Sequence, residues 1–257
     1  MSDLLKIALI QGPIVWHNAD ANRAYFEHKI KSVSEVNLFI LPEMFTTGFT
    51  MNPDEVAEEI QGETVSWMMK LAVEFQCAIT GSIVIKQNEH YYNRLIFVDE
   101  NGSMHQYDKR HLFTLAGEQH SYSAGNDKLI IDYQGWKICP LVCYDLRFPV
   151  FARNKENYDL LIYVANWPKT RIKAWDILLP ARAAENMSYV AGVNRIGTDN
   201  NQHQYSGHSQ VVDEVGNYII EPNEDESLQI AVLSKSKLID SRKKFGFLND
   251  MDEFTVV

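Results

Sequence analysis

Short apolar, β-branched runs, each stopped by proline, glycine or a charged residue, alternate along this chain with stretches of helical periodicity. That alternation restricts the fold to sheets covered by helices. Residues 5–10 close at Gly12-Pro13 and residues 36–41 at Pro42, and both read as buried strands. Between them, residues 20–34 place Ala24, Tyr25, His28, Ile30 and Val33 on a helical period, with Asp20 as candidate N-cap. A second helix is expected from Thr64, as N-cap, through Val65, Trp67, Met68, Leu71, Ala72 and Phe75. Strands follow at 78–86, 91–98 and 103–108, and Asn101-Gly102 between the last two is a hairpin signal because both residues tolerate positive φ. Residues 128–133 and 136–142 form another hairpin turning at Gln134-Gly135.

Further strands are expected at 160–165, 189–196, 209–213, 218–221 and 228–233. Residues 172–186 have helical periodicity in Trp175, Leu178, Leu179 and Ala183, but Pro180 inside the pattern requires a kink or a late start. Residues 234–257 read as a polar tail carrying Phe245, Phe247, Leu248 and Phe254, which either covers the chain's own core or reaches a second subunit. There is no internal repeat, low-complexity run or linker, so one α/β domain spanning 1–257 is expected, with mixed sheets in two layers.

The run 136–142 stops abruptly at Cys143 and turns polar up to Pro149, which suits the first turn of a short helix over 149–154. Cys143 at a helix N-terminus would favour its thiolate, the nucleophilic form. A free cysteine is also among the most commonly buried residues, and Cys77 and Cys139, set in apolar runs, read as core. Three cysteines without C-x-x-C spacing suit a reducing compartment, and a start lacking a basic segment followed by an apolar one points to the cytoplasm. Lys+Arg 24 against Asp+Glu 34 gives a net charge of −10, which disfavours nucleic acid and anionic membranes as partners; no apolar run is long enough to span a bilayer. The short basic run Arg242-Lys243-Lys244 reads as a solvated face.

Several strands end in reactive residues: Leu41-Pro42 in Glu43, Tyr107-Asp108 in Lys109, and the run 136–142 in Cys143. A thiol, a carboxylate and an ammonium make a coherent set for cleaving an amide. The carboxylate moves protons and the ammonium stabilises an oxyanion. The segments Leu41-Pro42-Glu43-Met44-Phe45, Tyr107-Asp108-Lys109-Arg110-His111-Leu112-Phe113 and Leu141-Val142-Cys143-Tyr144-Asp145-Leu146-Arg147-Phe148-Pro149 resemble the three signatures of the nitrilase superfamily of carbon-nitrogen hydrolases, in that family's order. Asn166-Trp167-Pro168, residues 181–186, Asn194-Arg195 and Gly207-His208-Ser209 extend the resemblance, which is greatest toward the bacterial ω-amidase branch.

The resemblance implies a four-layer α-β-β-α sandwich that commonly dimerises, no metal or organic cofactor, and hydrolysis of the terminal amide of a 2-oxo dicarboxylic acid monoamide such as 2-oxoglutaramate. It assigns Cys143 as nucleophile, Glu43 as general base and acid, Lys109 as stabiliser of the tetrahedral intermediate, and the Tyr144 backbone N–H as oxyanion donor. A second family glutamate maps onto Glu118, and Asn166 and Trp167 fall at the substrate. A carboxyl-bearing substrate needs a distant cation, for which Arg171 is the candidate. His111 could shape the site without entering the chemistry. The same three residues would equally serve another amidase of the superfamily, an N-carbamoyl amine hydrolase, a true nitrilase or a glutaminase subunit. A catalytically inactive scaffold is the alternative outside the enzymes.

Overall fold

Parallel strands need crossover connections, and the helices that provide them cover the sheets they connect. The computed structural model describes residues 3–256, so Met1, Ser2 and the last tail residue, Val257, lie outside the described residues. In chain order the strands and helices are β1 (Leu4–Gln11), α1 (Ala19–Lys31), β2 (Leu38–Ile40), α2 (Glu63–Phe75), β3 (Ala78–Gln87), β4 (His90–Val98) and β5 (Met104–Asp108). Then come β6 (Ile131–Tyr133), β7 (Trp136–Val142), α3 (Pro149–Ala152), β8 (Leu160–Ala165), α4 (Ile172–Asn186) and β9 (Tyr189–Asn194). The chain finishes with β10 (Ile196–Thr198), β11 (Gln204–Ser206), β12 (Gln210–Val212), β13 (Tyr218–Ile220), β14 (Ser227–Ser234) and α5 (Lys235–Phe245).

Two 6-stranded mixed sheets result, ordered β14-β1-β2-β3-β4-β5 and β13-β12-β9-β8-β7-β6. In the first, β1, β2 and β3 run parallel; in the second, β7, β8 and β9 do. Alternation along β1 shows how the layers stack. Leu5, Ile7 and Leu9 join a core shared with Ile138, Leu141 and Leu160 of the second sheet, while Ala8 and Ile10 face Phe26 of α1 and Met68 of α2. On the far side of the second sheet α4 packs so closely that a Cβ on Gly192 of β9 would lie 2.4 Å from Leu179. The order is therefore α1 and α2, sheet, sheet, α4, the expected four-layer sandwich.

Several local expectations need correction. The N-cap of α1 is Asn18, whose Oδ1 accepts the Ala21 N–H at 3.0 Å, and Asp20 sits in the first turn instead. Gly62 precedes α2, and Thr64 lies one residue inside it, donating its backbone N–H to Glu58 at 2.7 Å. The α4 helix starts at Ile172 and runs through Pro180 without a late start. The short helix α3 ends at Ala152. Residues 235–245 of the tail form α5, capped by Ser234 and by Asp3, which accepts the Ser236 N–H at 2.7 Å. Only Leu238 of this helix is buried, so it carries almost no apolar period. Arg242, in the short basic run, donates to the carbonyls of Met187 and Tyr158 at 2.7 and 2.6 Å and so fastens α5 to the ends of α4 and β8.

Candidate active site

Glu43, Lys109, Cys143 and Asn166 each stand just beyond the C-terminal end of a strand: β2, β5, β7 and β8. Strand ends of this kind are where open α/β sheets build sites. Pro140 inside β7 is tolerated because β6 reaches only Ile138, leaving no ladder on that side at Pro140 for it to interrupt. The chain then enters a tight 3-10 turn over Cys143–Arg147, with Cys143 in the left-handed region at φ 44°. For a non-glycine residue that conformation costs about 1–3 kcal/mol and is held by its surroundings. Met44, next to Glu43, has φ 42°. The first amides of such a turn lack intrahelical acceptors, so the Tyr144 N–H is placed to donate to a ligand.

Lys109 is fully enclosed between two carboxylates. Its Nζ donates to Glu43 Oε1 at 2.9 Å and to Glu118 Oε1 and Oε2 at 3.0 and 2.9 Å, and lies 5.2 Å from the Phe49 ring centre. Burial alone would discharge the lysine. Glu118 and Glu43 overcome it, holding the ammonium above its ordinary range. Asn93 of β4 donates to Glu43 Oε1 at 2.8 Å, and the Asn166 backbone N–H donates to Glu43 Oε2 at 2.8 Å. Glu118 opens a second 3-10 turn and accepts the Phe113 N–H. Its carboxyl is raised by burial, an effect that Lys109 only partly offsets.

The Cys143 sulfur lies against Glu43, and its pKa is driven well above the usual thiol range by burial and by Glu43. This corrects the expectation of a thiolate. The turn offers too little positive charge to outweigh burial and the neighbouring carboxylates, so the resting group is a thiol with a proton acceptor beside it.

Glu43, Lys109 and Cys143 form the floor of a cavity of about 470 Å³, walled by Trp16, Phe49, Phe113, Tyr144, Trp167 and Tyr205. Arg147 and Arg171 also line it, the first 5.0 Å from the Trp167 ring and the second 4.9 Å from Phe113. Among the described residues neither guanidinium has a carboxylate partner. Asn166 fixes Glu43 from below, but its own Oδ1 is buried without a partner. Trp167 is held by Asn194 through its backbone N–H at 2.7 Å, and its indole donates to the Arg171 carbonyl at 2.8 Å.

The structure brings Glu43, Lys109 and Cys143 to the floor of one cavity, with Tyr144, Asn166, Trp167 and Arg171 around it, and buries Glu118 behind Lys109. The carbon-nitrogen hydrolase family model matches residues 6–243. The chain belongs to that family. It is 42% identical to the omega-amidase YafV of Yersinia enterocolitica, over 98% of this chain and 99% of that one. It is 32% identical to the 2-oxoglutaramate amidase of Bacillus subtilis, over 86% and 87%. The crystal structure of XC1258 from Xanthomonas campestris, described as a CN-hydrolase superfamily protein with an arsenic adduct in its active site, superposes with a TM-score of 0.97 at 40% identity, covering both chains completely.

Within this carbon-nitrogen hydrolase, sequence reasoning missed the residues that support the floor. Ser82 is a polar position inside a mostly apolar strand, and Asn93 is a buried one beside Arg94 in the strand that pairs with it. Ser82 donates to Asn93 Oδ1 at 2.8 Å, relaying support to Glu43. A buried polar residue in an apolar strand was the available signal. The two-stranded ribbon β10-β11, which brings Asp199, Asn201, His203 and Tyr205 to the cavity, carried none. Among the described residues no group of histidine, cysteine and carboxylate side chains could hold a metal ion, and no helix is long and apolar enough to cross a membrane.

Proposed function

We propose that the enzyme hydrolyses the terminal amide of a small 2-oxo dicarboxylic acid monoamide, such as 2-oxoglutaramate, to the carboxylate and ammonia. The observation that carries this reading is one cavity holding a thiol, a carboxylate and a buried ammonium at its floor, with two arginines that lack carboxylate partners in its walls. The names of the relatives support the same substrate class.

Cys143 Sγ attacks the amide carbon while Glu43 takes the thiol proton, so the buried cluster keeps its charge throughout. Lys109 Nζ and the Tyr144 N–H stabilise the oxyanion. Glu43 returns the proton to the leaving nitrogen, the C–N bond breaks and ammonia departs from the thioester. Water then gives Glu43 a proton as it attacks the thioester carbon, and the sulfur recovers that proton as the C–S bond breaks. The free Asn166 Oδ1 is a suitable acceptor for the substrate's amide N–H, and Glu118 keeps Lys109 charged and directed. Arg171, assisted by Arg147, takes the distant carboxylate.

The Arg171→Ala variant is expected to raise KM for 2-oxoglutaramate by about 10- to 100-fold with a smaller change in kcat, because a charge-assisted hydrogen bond is worth roughly 1.5–3 kcal/mol. Steady-state kinetics check this, and unchanged KM would remove Arg171 from the site. Measuring ammonia release from 2-oxoglutaramate, glutamine, an N-carbamoyl amino acid and a nitrile tests the substrate class. Preference for the carbamoyl compound would turn the reading to an N-carbamoyl amine hydrolase, and turnover of none to a scaffold.

We further propose a single catalytic domain working as a homodimer in the cytoplasm. Exposed Ile239, Phe245 and Phe247 near the C-terminus favour self-association, and three free cysteines suit a reducing compartment. Sedimentation equilibrium that returned a monomer would remove the dimer.

A further inference from the structure

We infer that Asp145 is a positioning residue, whose one buried carboxylate ties the turn carrying Cys143 to the loop carrying Lys109. The side chain is wholly buried beneath that turn. Its Oδ2 accepts the Val142 N–H at 3.0 Å and the Tyr107 hydroxyl at 2.8 Å. Its Oδ1 accepts the His111 backbone N–H at 3.0 Å and faces His111 Nδ1 at 2.7 Å. Four donors match what an ionised carboxylate can accept, which is the condition for burying one.

The identity of those donors carries the inference. Val142 immediately precedes the nucleophile; Tyr107 stands two residues before Lys109 and His111 two residues after it. Lys109 is thus held on both flanks, and the Arg110 N–H donates to the same Tyr107 hydroxyl at 3.2 Å. The His111 ring is fixed from its face as well, stacked on Phe148 with centroids 3.8 Å apart and planes 5° from parallel. With Asp145 ionised, the proton of His111 must lie on Nδ1. Asp145 touches neither Lys109 Nζ nor the sulfur in this network, so it acts through backbone placement. A displacement of about 1 Å in such a site costs on the order of 100-fold in rate.

The inference rests on Cys143 and Lys109 being the reacting pair, and its test separates the two. Asp145→Asn puts an NH2 group against donors that need an acceptor. It is expected to lower kcat by about 100-fold while KM stays within about threefold, since Arg171, Trp167 and the walls outside the turn are untouched. In the folded variant, the pH midpoint for alkylation of Cys143 by iodoacetamide should move up, because the retreat of Lys109 removes the cation that opposes the rise of the thiol. A merely structural aspartate would lower the melting temperature and leave that midpoint where it was.

A pair at His111 decides the matter should Asp145→Asn fail to fold. His111→Ala should lower kcat by about tenfold, and His111→Asn, whose amide can donate from nearly the place of Nδ1, should recover most of it. The inference is overturned if folded Asp145→Asn keeps its kcat and midpoint, or if His111→Asn is no better than His111→Ala. Alkylation needs no knowledge of the substrate, so its outcome stands even if 2-oxoglutaramate is not turned over.

Discussion

Replacing Cys143 by alanine is expected to reduce ammonia release from 2-oxoglutaramate by at least about 10⁴-fold, because every later step passes through the bond this sulfur makes. The fold should survive. Cys143 is only half-buried and faces the cavity, so the change removes one atom from a wall already open to it. Circular dichroism should give an unchanged spectrum, and a thiol probe that labels the native protein at one site should label the variant at none. Cys77 and Cys139 will not substitute, since both are fully buried; burial pushes the Cys77 thiol up to about 12 and the Cys139 thiol likewise upward. Appreciable residual turnover would remove Cys143 as nucleophile.

The second large effect is expected at Lys109, where activity and stability should fall together. Lys109→Met retains the volume and removes the charge. Loss of the oxyanion donor should cost about 10²–10³ in kcat. Breaking a buried ion pair from one side typically costs about 3–5 kcal/mol, since the partner charges stay buried and unmatched.

The pH dependence follows from the direction of each shift. In the wild type Lys109 is held above its ordinary 10.5, so its contribution is complete below that value and is lost only as pH rises beyond it. In the variant Glu118, already raised from 4.5 with the lysine present, has no cation to restrain it. The folded state then holds a proton that the unfolded chain releases, and the stability deficit shrinks as pH falls toward 4.5. Thermal melts at pH 5 and pH 8 should therefore show the variant closer to wild type at pH 5. A deficit independent of pH would mean that packing, rather than charge, is what Lys109 supplies.

How much of this was legible depended on whether a residue's role is local or arises between segments. Cys143 and Glu43 could be found because each ends an apolar run, and Lys109 because it ends a strand-like stretch inside a family signature; such ends are visible in one dimension. The four layers came only from the resemblance of the three signatures, because residues 5–10 are apolar on both faces and the two cores they enter separate only in the folded chain. The α5 helix could not, because one buried leucine makes no period and its ends are fixed by Asp3 and Arg242 across the molecule. The cap of α1 was misplaced by two residues since Asn18 and Asp20 are both capping types and only geometry chooses between them. The thiolate expectation failed for a deeper reason. A turn's N-terminus is a local feature, whereas the burial that overrules it, aided by carboxylates from just beyond β2 and from the loop after β5, arises only in the folded chain.

One arrangement at the floor of the cavity bears on timing. Each of the three contacts made by Lys109 Nζ goes to a carboxylate oxygen, one on Glu43 and two on Glu118. An ammonium has three protons, so the resting lysine has nothing left to offer a substrate. On the proposed chemistry, the proton that leaves the sulfur arrives on Glu43 and cancels the charge that was holding one of those hydrogens. The donor is released in the same event that creates the oxyanion needing it. The site would thus behave as an interlock, in which the electrophilic arm stays latched until the nucleophile has been spent.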